Sequence, residues 1–246
     1  MIKQGYENIG EGISIILPVY NEGENIKEQI EQIEKTVDVK HEVLIVYDYE
    51  KDSTIAPAKS LNRKFPNVKL VRNKFKRGII SAVRTGFKTS HFGICVVMPA
   101  DLADDPNTIN RMYSKIQEGF DIVCATRYSK GGHKIGGGFV KTALSKTAGL
   151  SAGILLGLRT TDLTNGFKMY KKALFSKIKI ESDGGWEFSM EILIKTNSMG
   201  AKICDVPTIW RERTQGTSKF KMMKWLPKYI HWYLWGILQR LKVDRQ

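Results

Sequence analysis

Short apolar runs rich in Val and Ile recur along the first half of the chain, at residues 13–17, 43–47, 68–71 and 94–98. Between them, residues 25–35, 53–65 and 78–89 have helical length and composition. A fifth run, 122–125, follows a helix expected to open after Pro106. Strand–helix alternation of this kind predicts an α/β fold, with a mostly parallel twisted sheet and helices on both faces. The second half is less regular. Residues 129–138 hold five glycines with Lys130, His133 and Lys134, which suits either a surface loop or a mobile lid over an acceptor. Helices are expected at 139–156 and 186–198, and a strand at 201–206. No internal repeat or sharp linker divides the chain. Residues 1–220 are therefore read as one domain with halves 12–105 and 106–220, followed by a helix over 221–246.

Composition supports a packed core and adds a charge. Of the 246 residues, 42% are hydrophobic, which excludes wholesale disorder. The formal charge of +14, from 39 basic and 25 acidic residues, calls for a polyanionic partner: nucleic acid, an anionic membrane or a phosphorylated substrate. Cys95, Cys124 and Cys204 are far apart and set among apolar residues, as reduced core cysteines are. His41, His91, His133 and His231 do not cluster, which argues against zinc. Residues 1–12 are polar and lack the apolar centre of a signal peptide. The most apolar tail segment, 229–238, falls well short of the roughly 20 residues that a spanning helix needs. A cytoplasmic protein, soluble or peripheral on a membrane, is expected.

In open α/β sheets ligands bind beyond the carboxyl ends of the strands, so chemistry is sought there. The first run leads into Pro18-Val19-Tyr20-Asn21-Glu22, where Pro18 also stops the strand and Asn21 also turns the chain. The second ends at Tyr47-Asp48. Asp48 is placed to accept hydrogen bonds from a nucleobase, while Asp52 reads as a helix N-cap. After the fourth run, Asp101, Asp104 and Asp105 fall within five residues and could hold a hard divalent cation through oxygen. Asp104 and Asp105 serve equally as caps for the helix at Pro106, which leaves Asp101 as the functional candidate.

The order of these motifs resembles that of family 2 glycosyltransferases with a GT-A fold, and within them the dolichyl/polyprenyl-phosphate sugar synthase branch. The stretch from Pro18 to Asn25 is similar to the family's opening nucleotide-binding motif, and Arg77-Gly78 with Ala82 and Gly86 to its glycine-spaced helix start. Cys124-Ala125-Thr126-Arg127-Tyr128 resembles a strand ending in Gly-Ser-Arg. Asp162-Leu163-Thr164-Asn165-Gly166-Phe167 resembles an Asp-x-x-Ser/Thr-x-Gly-Phe segment, with Glu191 at the acidic position of the next helix. Val206-Pro207 and Arg213-x-x-Gly216-x-Ser218-Lys219 match the closing signature. Two departures stand out. Tyr47 replaces the first of two paired acids, and Pro99 with Ala103 depletes the Asp-x-Asp metal motif.

The resemblance implies an inverting single displacement on a UDP- or GDP-linked sugar. Pro18, Tyr20, Glu22 and Asp48 would surround base and ribose. Asp101 would act through Mg²⁺ or Mn²⁺, and Arg213, Ser218 and Lys219 would hold the diphosphate. An acceptor that is a phosphorylated lipid needs no strong base, and Arg127 with the 130–134 loop would orient its phosphate. A sugar-hydroxyl acceptor on a glycan needs a carboxylate, for which Glu191 and Asp162 are the candidates. Their plainer roles are a solvated helix face and a turn.

From Trp210 onward, nine Lys/Arg residues accompany Trp225, Tyr229, Trp232, Tyr233 and Trp235 at helical spacings. Such a helix suits an anionic membrane surface, or else packs its rings on the catalytic domain. Nucleic acid is disfavoured because acids at successive strand ends repel phosphates. A dinucleotide-dependent oxidoreductase is disfavoured because no Gly-x-Gly-x-x-Gly follows the first strand. A transferase-like subunit without activity is the alternative left by Tyr47 and Pro99.

Overall fold

The computed structural model describes residues 11–213 and 222–243. Its centre is a seven-stranded sheet in the order β3-β2-β1-β4-β7-β5-β8. The strands are β1 (Ile13–Pro18), β2 (His41–Tyr47), β3 (Val68–Arg72), β4 (Ile94–Val97), β5 (Ile122–Thr126), β7 (Lys168–Lys171) and β8 (Ile203–Pro207). Six of them run the same way, and β7 lies antiparallel to both β4 and β5. A short ribbon of β6 (His133–Ile135) and β9 (Ile209–Arg211) stands apart from the sheet.

The period-two alternation of strand side chains divides the core in two. Ile13, Ile15, Leu17, Val43, Ile45 and Val96 face α1 (Asn25–Thr36), α2 (Ile55–Leu61) and α4 (Thr108–Gln117). Ile16, Leu44, Val46, Cys95 and Val97 face α3 (Ile79–Thr89), α5 (Phe139–Leu156), α6 (Glu187–Ser198) and α7 (Met222–Val243). With both faces covered, these strands read as unbroken apolar runs, and that is why they were visible in the sequence.

The strand that the pattern did not reveal is β7. Lys168-Met169-Tyr170-Lys171 carries a lysine at each end, yet all four residues are buried. The Lys168 ammonium donates to the Leu163 and Asn165 carbonyls and to Ser189 Oγ, and Lys171 pairs with Asp121 at 2.9 Å. Buried polar groups persist when their bonds are made, and here they are made by the preceding loop, by α6 and by Asp121.

The three cysteines are unpaired: Cys95 and Cys124 are buried and Cys204 partly so. Among the described residues no helix is long and apolar enough to cross a membrane. The aromatic residues of α7 turn inward. Trp232 is buried, and Tyr229, Tyr233 and Trp235 pack on the core that α6 shares. Lys195 of α6 lies 4.8 Å from the Trp232 ring centre. The outward stripe of α7 is aliphatic instead: Ile230, Leu234, Leu238 and Leu241. Beside it runs α5, tied to α7 by a 2.6 Å bond from the Tyr233 hydroxyl to Ser151 Oγ. On α5, Phe139 (85% exposed), Val140, Leu150, Ile154 (79%) and Leu155 also face outward.

Candidate active site

The carboxyl ends of β1, β2 and β4 lie side by side at one edge of the sheet. Pro18 closes β1, and the next turn contains Asn21 at φ 55° and Gly23 at φ 56°. Asn and Gly tolerate this left-handed backbone better than other residues. Asp52 fixes the turn: both of its oxygens accept the Asn21 N–H at 3.1 Å, and one also accepts the Thr54 N–H. It is not the N-cap of α2, which is Thr54; its bond to the Thr54 N–H closes the turn before the helix, and its bonds to Asn21 tie that turn to β1.

Asp48, at the end of β2, accepts from Asn73 Nδ2 at 2.7 Å and from the Gly78 N–H at 2.9 Å. Gly78 adopts φ 127° at the start of α3. Further along that helix, a Cβ on Gly86 would lie 2.4 Å from Ile16, so α3 can sit against β1 only with glycine there. The glycine spacing noticed in the sequence thus serves close helix–sheet approach.

After β4 the chain passes Asp101 into Leu102, whose φ of 61° is a costly conformation for a bulky residue. The Leu102 N–H donates to Gln29 Oε1 and the Ala103 N–H to Asp101 Oδ1, which holds the loop in place. Asp101 keeps 28% side-chain exposure. Arg213 reaches across from just beyond β9: its Nη2 lies 3.3 Å from Asp101 and 3.4 Å from Glu22. Three candidates from distant segments therefore meet at one point. Ser218 and Lys219 lie outside the described residues.

Asp104 sits behind Asp101, fully buried, with one oxygen 3.4 Å from Asn165 Nδ2. Burial, reinforced by the Asp101 charge, pushes its carboxyl up to about 7, against the pull of Arg127 and Asn165. Pro99 and Ala103 bring no side-chain donor. Among the described residues no group of three or more His, Cys, Asp or Glu side chains is placed to hold a metal ion.

At the end of β5 lies a second cluster. Arg127 donates from Nε and Nη2 to the two oxygens of Asp162, each at 2.7 Å, and Nη2 also meets Ser145 Oγ and Thr164 Oγ1. Asp162 is fully buried and further accepts the Arg127 and Asn165 N–H groups. Its plainer expected role, turn forming, is enlarged into a buried ion pair. Lys134 of β6 bonds Thr142 and lies 5.4 Å from the Trp210 ring centre. Burial and the Arg127 charge lower its pKa, so it ionises less readily than a free lysine. Glu191 stands elsewhere. Buried on α6, it accepts from the Glu181 and Ser182 N–H groups and from Lys195, and so anchors the segment before the helix.

Sequence reasoning passed over Tyr49 and Asn73. Asn73 became visible only when Asp48 needed a partner.

A family model described as "Glycosyl transferase family 2" matches residues 14–179, most of the stretch that carries these strand ends. The chain belongs to glycosyl transferase family 2. Within that family it is 34% identical over 212 residues to a dolichol-phosphate mannosyltransferase of Pyrococcus furiosus, covering 85% of this chain and 59% of the relative. It thus spans well under two thirds of that protein's length. A polyprenol monophosphomannose synthase of Mycolicibacterium smegmatis is 28% identical over 233 residues, covering 92% of this chain and 88% of the relative. Among solved structures, glucosyl-3-phosphoglycerate synthase of Mycobacterium tuberculosis in complex with Mn²⁺, UDP-glucose and phosphoglyceric acid superposes with a TM-score of 0.70. That match has 18% identity and covers 96% of this chain and 86% of the other. The same synthase with Mg²⁺ and UDP gives 0.63, at 18% identity, over 94% and 79%. The mostly parallel α/β sheet expected from the strand pattern is observed, and it is the GT-A fold that the motif resemblance implied.

Proposed function

We propose that the protein is an inverting glycosyltransferase that moves a sugar from a UDP- or GDP-linked donor to a phosphorylated lipid, most directly a polyprenyl phosphate. The observation that carries this is the meeting of Glu22, Asp101 and Arg213 at the carboxyl ends of β1 and β4. A guanidinium fixed in position at these strand ends by its carboxylate neighbours is placed to meet a diphosphate as charge develops on it. The names of the two mannosyltransferase relatives support the acceptor class.

Pro18, Tyr20, Glu22 and Asp48 are assigned to base and ribose, and Arg213, with Ser218 and Lys219, to the diphosphate. Asp101 is the metal-facing carboxylate. The loop offers one such group, which fits Mg²⁺ or Mn²⁺ shared between protein and substrate phosphates rather than caged by side chains. When bound, the ion would neutralise the leaving group. Arg127, locked by Asp162, and Lys134 present positive charge for the acceptor phosphate. That acceptor needs no general base, which suits a site where Asp162 and Glu191 already carry other bonds. For a sugar-hydroxyl acceptor on a glycan the same two residues would have to take the proton, and their bonds to Arg127, Lys195 and the 181–182 backbone disfavour that reading.

The outward aliphatic residues of α5 and α7, on a chain of charge +14, favour peripheral attachment to an anionic membrane on its cytoplasmic face. The rival is a subunit without activity, favoured by Pro99 in the metal loop. A panel of nucleotide-sugars tested by thermal shift, with and without Mg²⁺ or Mn²⁺, distinguishes them. One donor should raise Tm by mass action, and that donor should be turned over with polyprenyl phosphate. Stabilisation without turnover supports the inactive subunit, and no response to any donor refutes the transferase reading.

A further inference from the structure

At the strand ends assigned to the base, aromatic rings gather beside Asp48. Tyr47 stands where a second acid would be expected. Each oxygen of Asp48 already accepts a protein N–H, from Asn73 and from Gly78. Edge recognition of a nucleobase at this strand end therefore depends on the capacity that Asp48 has left. The residue after Asp48 is Tyr49, and its ring is held from several directions. Its hydroxyl donates to Asn21 Oδ1 at 2.6 Å, and the same oxygen accepts the Ser53 N–H at 3.2 Å. The Asn21 backbone is in turn fixed by the buried Asp52. The Arg77 guanidinium lies 5.1 Å from the Tyr49 ring centre, and the Tyr20 ring 5.9 Å away at a 50° tilt. Tyr20 is 52% exposed.

We propose that Tyr49, with Tyr20 and Arg77 beside it, forms a stacking platform that grips the nucleobase by its face and so sets donor affinity. Two tyrosines and a guanidinium offer flat, polarisable surface without a hydrogen-bonding code, which suits a base whose edge contacts are few. The tether to Asn21 matters because a ring fixed in advance loses little freedom when the base arrives. The platform rests on the nucleotide-sugar function proposed above, and a single experiment separates the two.

UDP and GDP are titrated calorimetrically into wild type, Tyr49→Phe and Tyr49→Ala, with the folding of each variant checked by thermal unfolding. Tyr49→Ala should weaken the preferred nucleotide about tenfold, the scale of one lost base–aromatic stack. Tyr49→Phe, which keeps the ring and loses only the tether, should stay within about threefold of wild type. If Tyr49→Ala weakens binding less than Tyr49→Phe is allowed to, the platform is overturned. If both variants lose affinity equally, Tyr49 acts through its hydroxyl on the loop, and the platform is again overturned. If wild type binds neither nucleotide, the donor assignment itself falls and the platform with it.

Discussion

Two glycines on α5 meet different surroundings, and the same substitution at each should move stability in opposite directions. Gly149 is buried where the helix crosses the loop that delivers Asp162. A Cβ there would lie 1.9 Å from the Thr161 carbonyl oxygen and 2.6 Å from its carbon. Restoring an ordinary 3.4 Å contact requires about 1.5 Å of movement by backbone, which cannot swing aside as a side chain does. Overpacking of this kind costs about 1–3 kcal/mol, with a rigid backbone target placing it at the upper end. Alanine's helical preference over glycine returns about 0.8–1 kcal/mol, so Gly149→Ala should be destabilising by roughly 1–2 kcal/mol. Gly153 lies one turn on and is exposed, and a Cβ there would meet only the Leu158 carbonyl, at 3.6 Å. The propensity gain then stands unopposed, and Gly153→Ala should be stabilising by about 0.8–1 kcal/mol. At about 2–4 °C per kcal/mol for a chain of this size, thermal unfolding resolves the two easily, one falling and the other rising. Urea titration gives the free energies directly. A Gly149→Ala protein as stable as wild type would mean that α5 does not bear on the Thr161 backbone. Equal gains at both positions would mean that helix preference alone governs.

Glu42 predicts an acid limb. Burial alone would raise its pKa, but bonds from the His91 N–H, Ser14, Lys69 and the His91 ring outweigh that and bring it down to about 2. Because the folded value lies below the unfolded one, its contribution is complete above about pH 4.5 and is lost as pH falls toward 2. Urea titrations over that window should show a shallower decline for Glu42→Gln, whereas parallel profiles would contradict the assignment. For the outward stripe of α7, Ile230→Glu with Leu234→Glu should reduce co-sedimentation with phosphatidylglycerol vesicles at least tenfold, since each buried aliphatic is worth about 1.5–3 kcal/mol. Unchanged binding would remove α7 from the membrane contact.

Legibility in the sequence followed burial. Strands covered on both faces, β1, β2, β4 and β5, announced themselves as apolar runs, whereas β7 hid behind two lysines whose partners lie on other segments. Strands of three residues, β6 and β9, are too short to carry a period. In the candidate site, Asp48, Asp101 and Arg213 were singled out because they stand just past strand ends or in motifs of known order. Their company was not. That Asp162 is bound to Arg127 rather than to solvent, and that Glu191 holds the 181–182 backbone, are facts of folding across 35 and about 10 residues of separation. The tail's spacing was read as amphipathic. Spacing alone, however, does not say which stripe faces in, and the rings of Tyr229, Trp232 and Tyr233 turned toward α6.

The reversed strand at the middle of the sheet also bears on how the chain is made. β5 has two neighbours, β7 and β8, and both follow it in sequence. A chain emerging from the ribosome can assemble β1 to β4 as each piece appears, but β5 must wait for residues 168–171 before it has a strand to pair with. During that interval β4 presents an open edge, since its second neighbour is the same late strand. Open edges invite pairing with the wrong chain. Synthesis that stalls between residues 126 and 168 would therefore leave the fragment most prone to aggregate, and β7 is the piece whose arrival joins the two halves into one sheet.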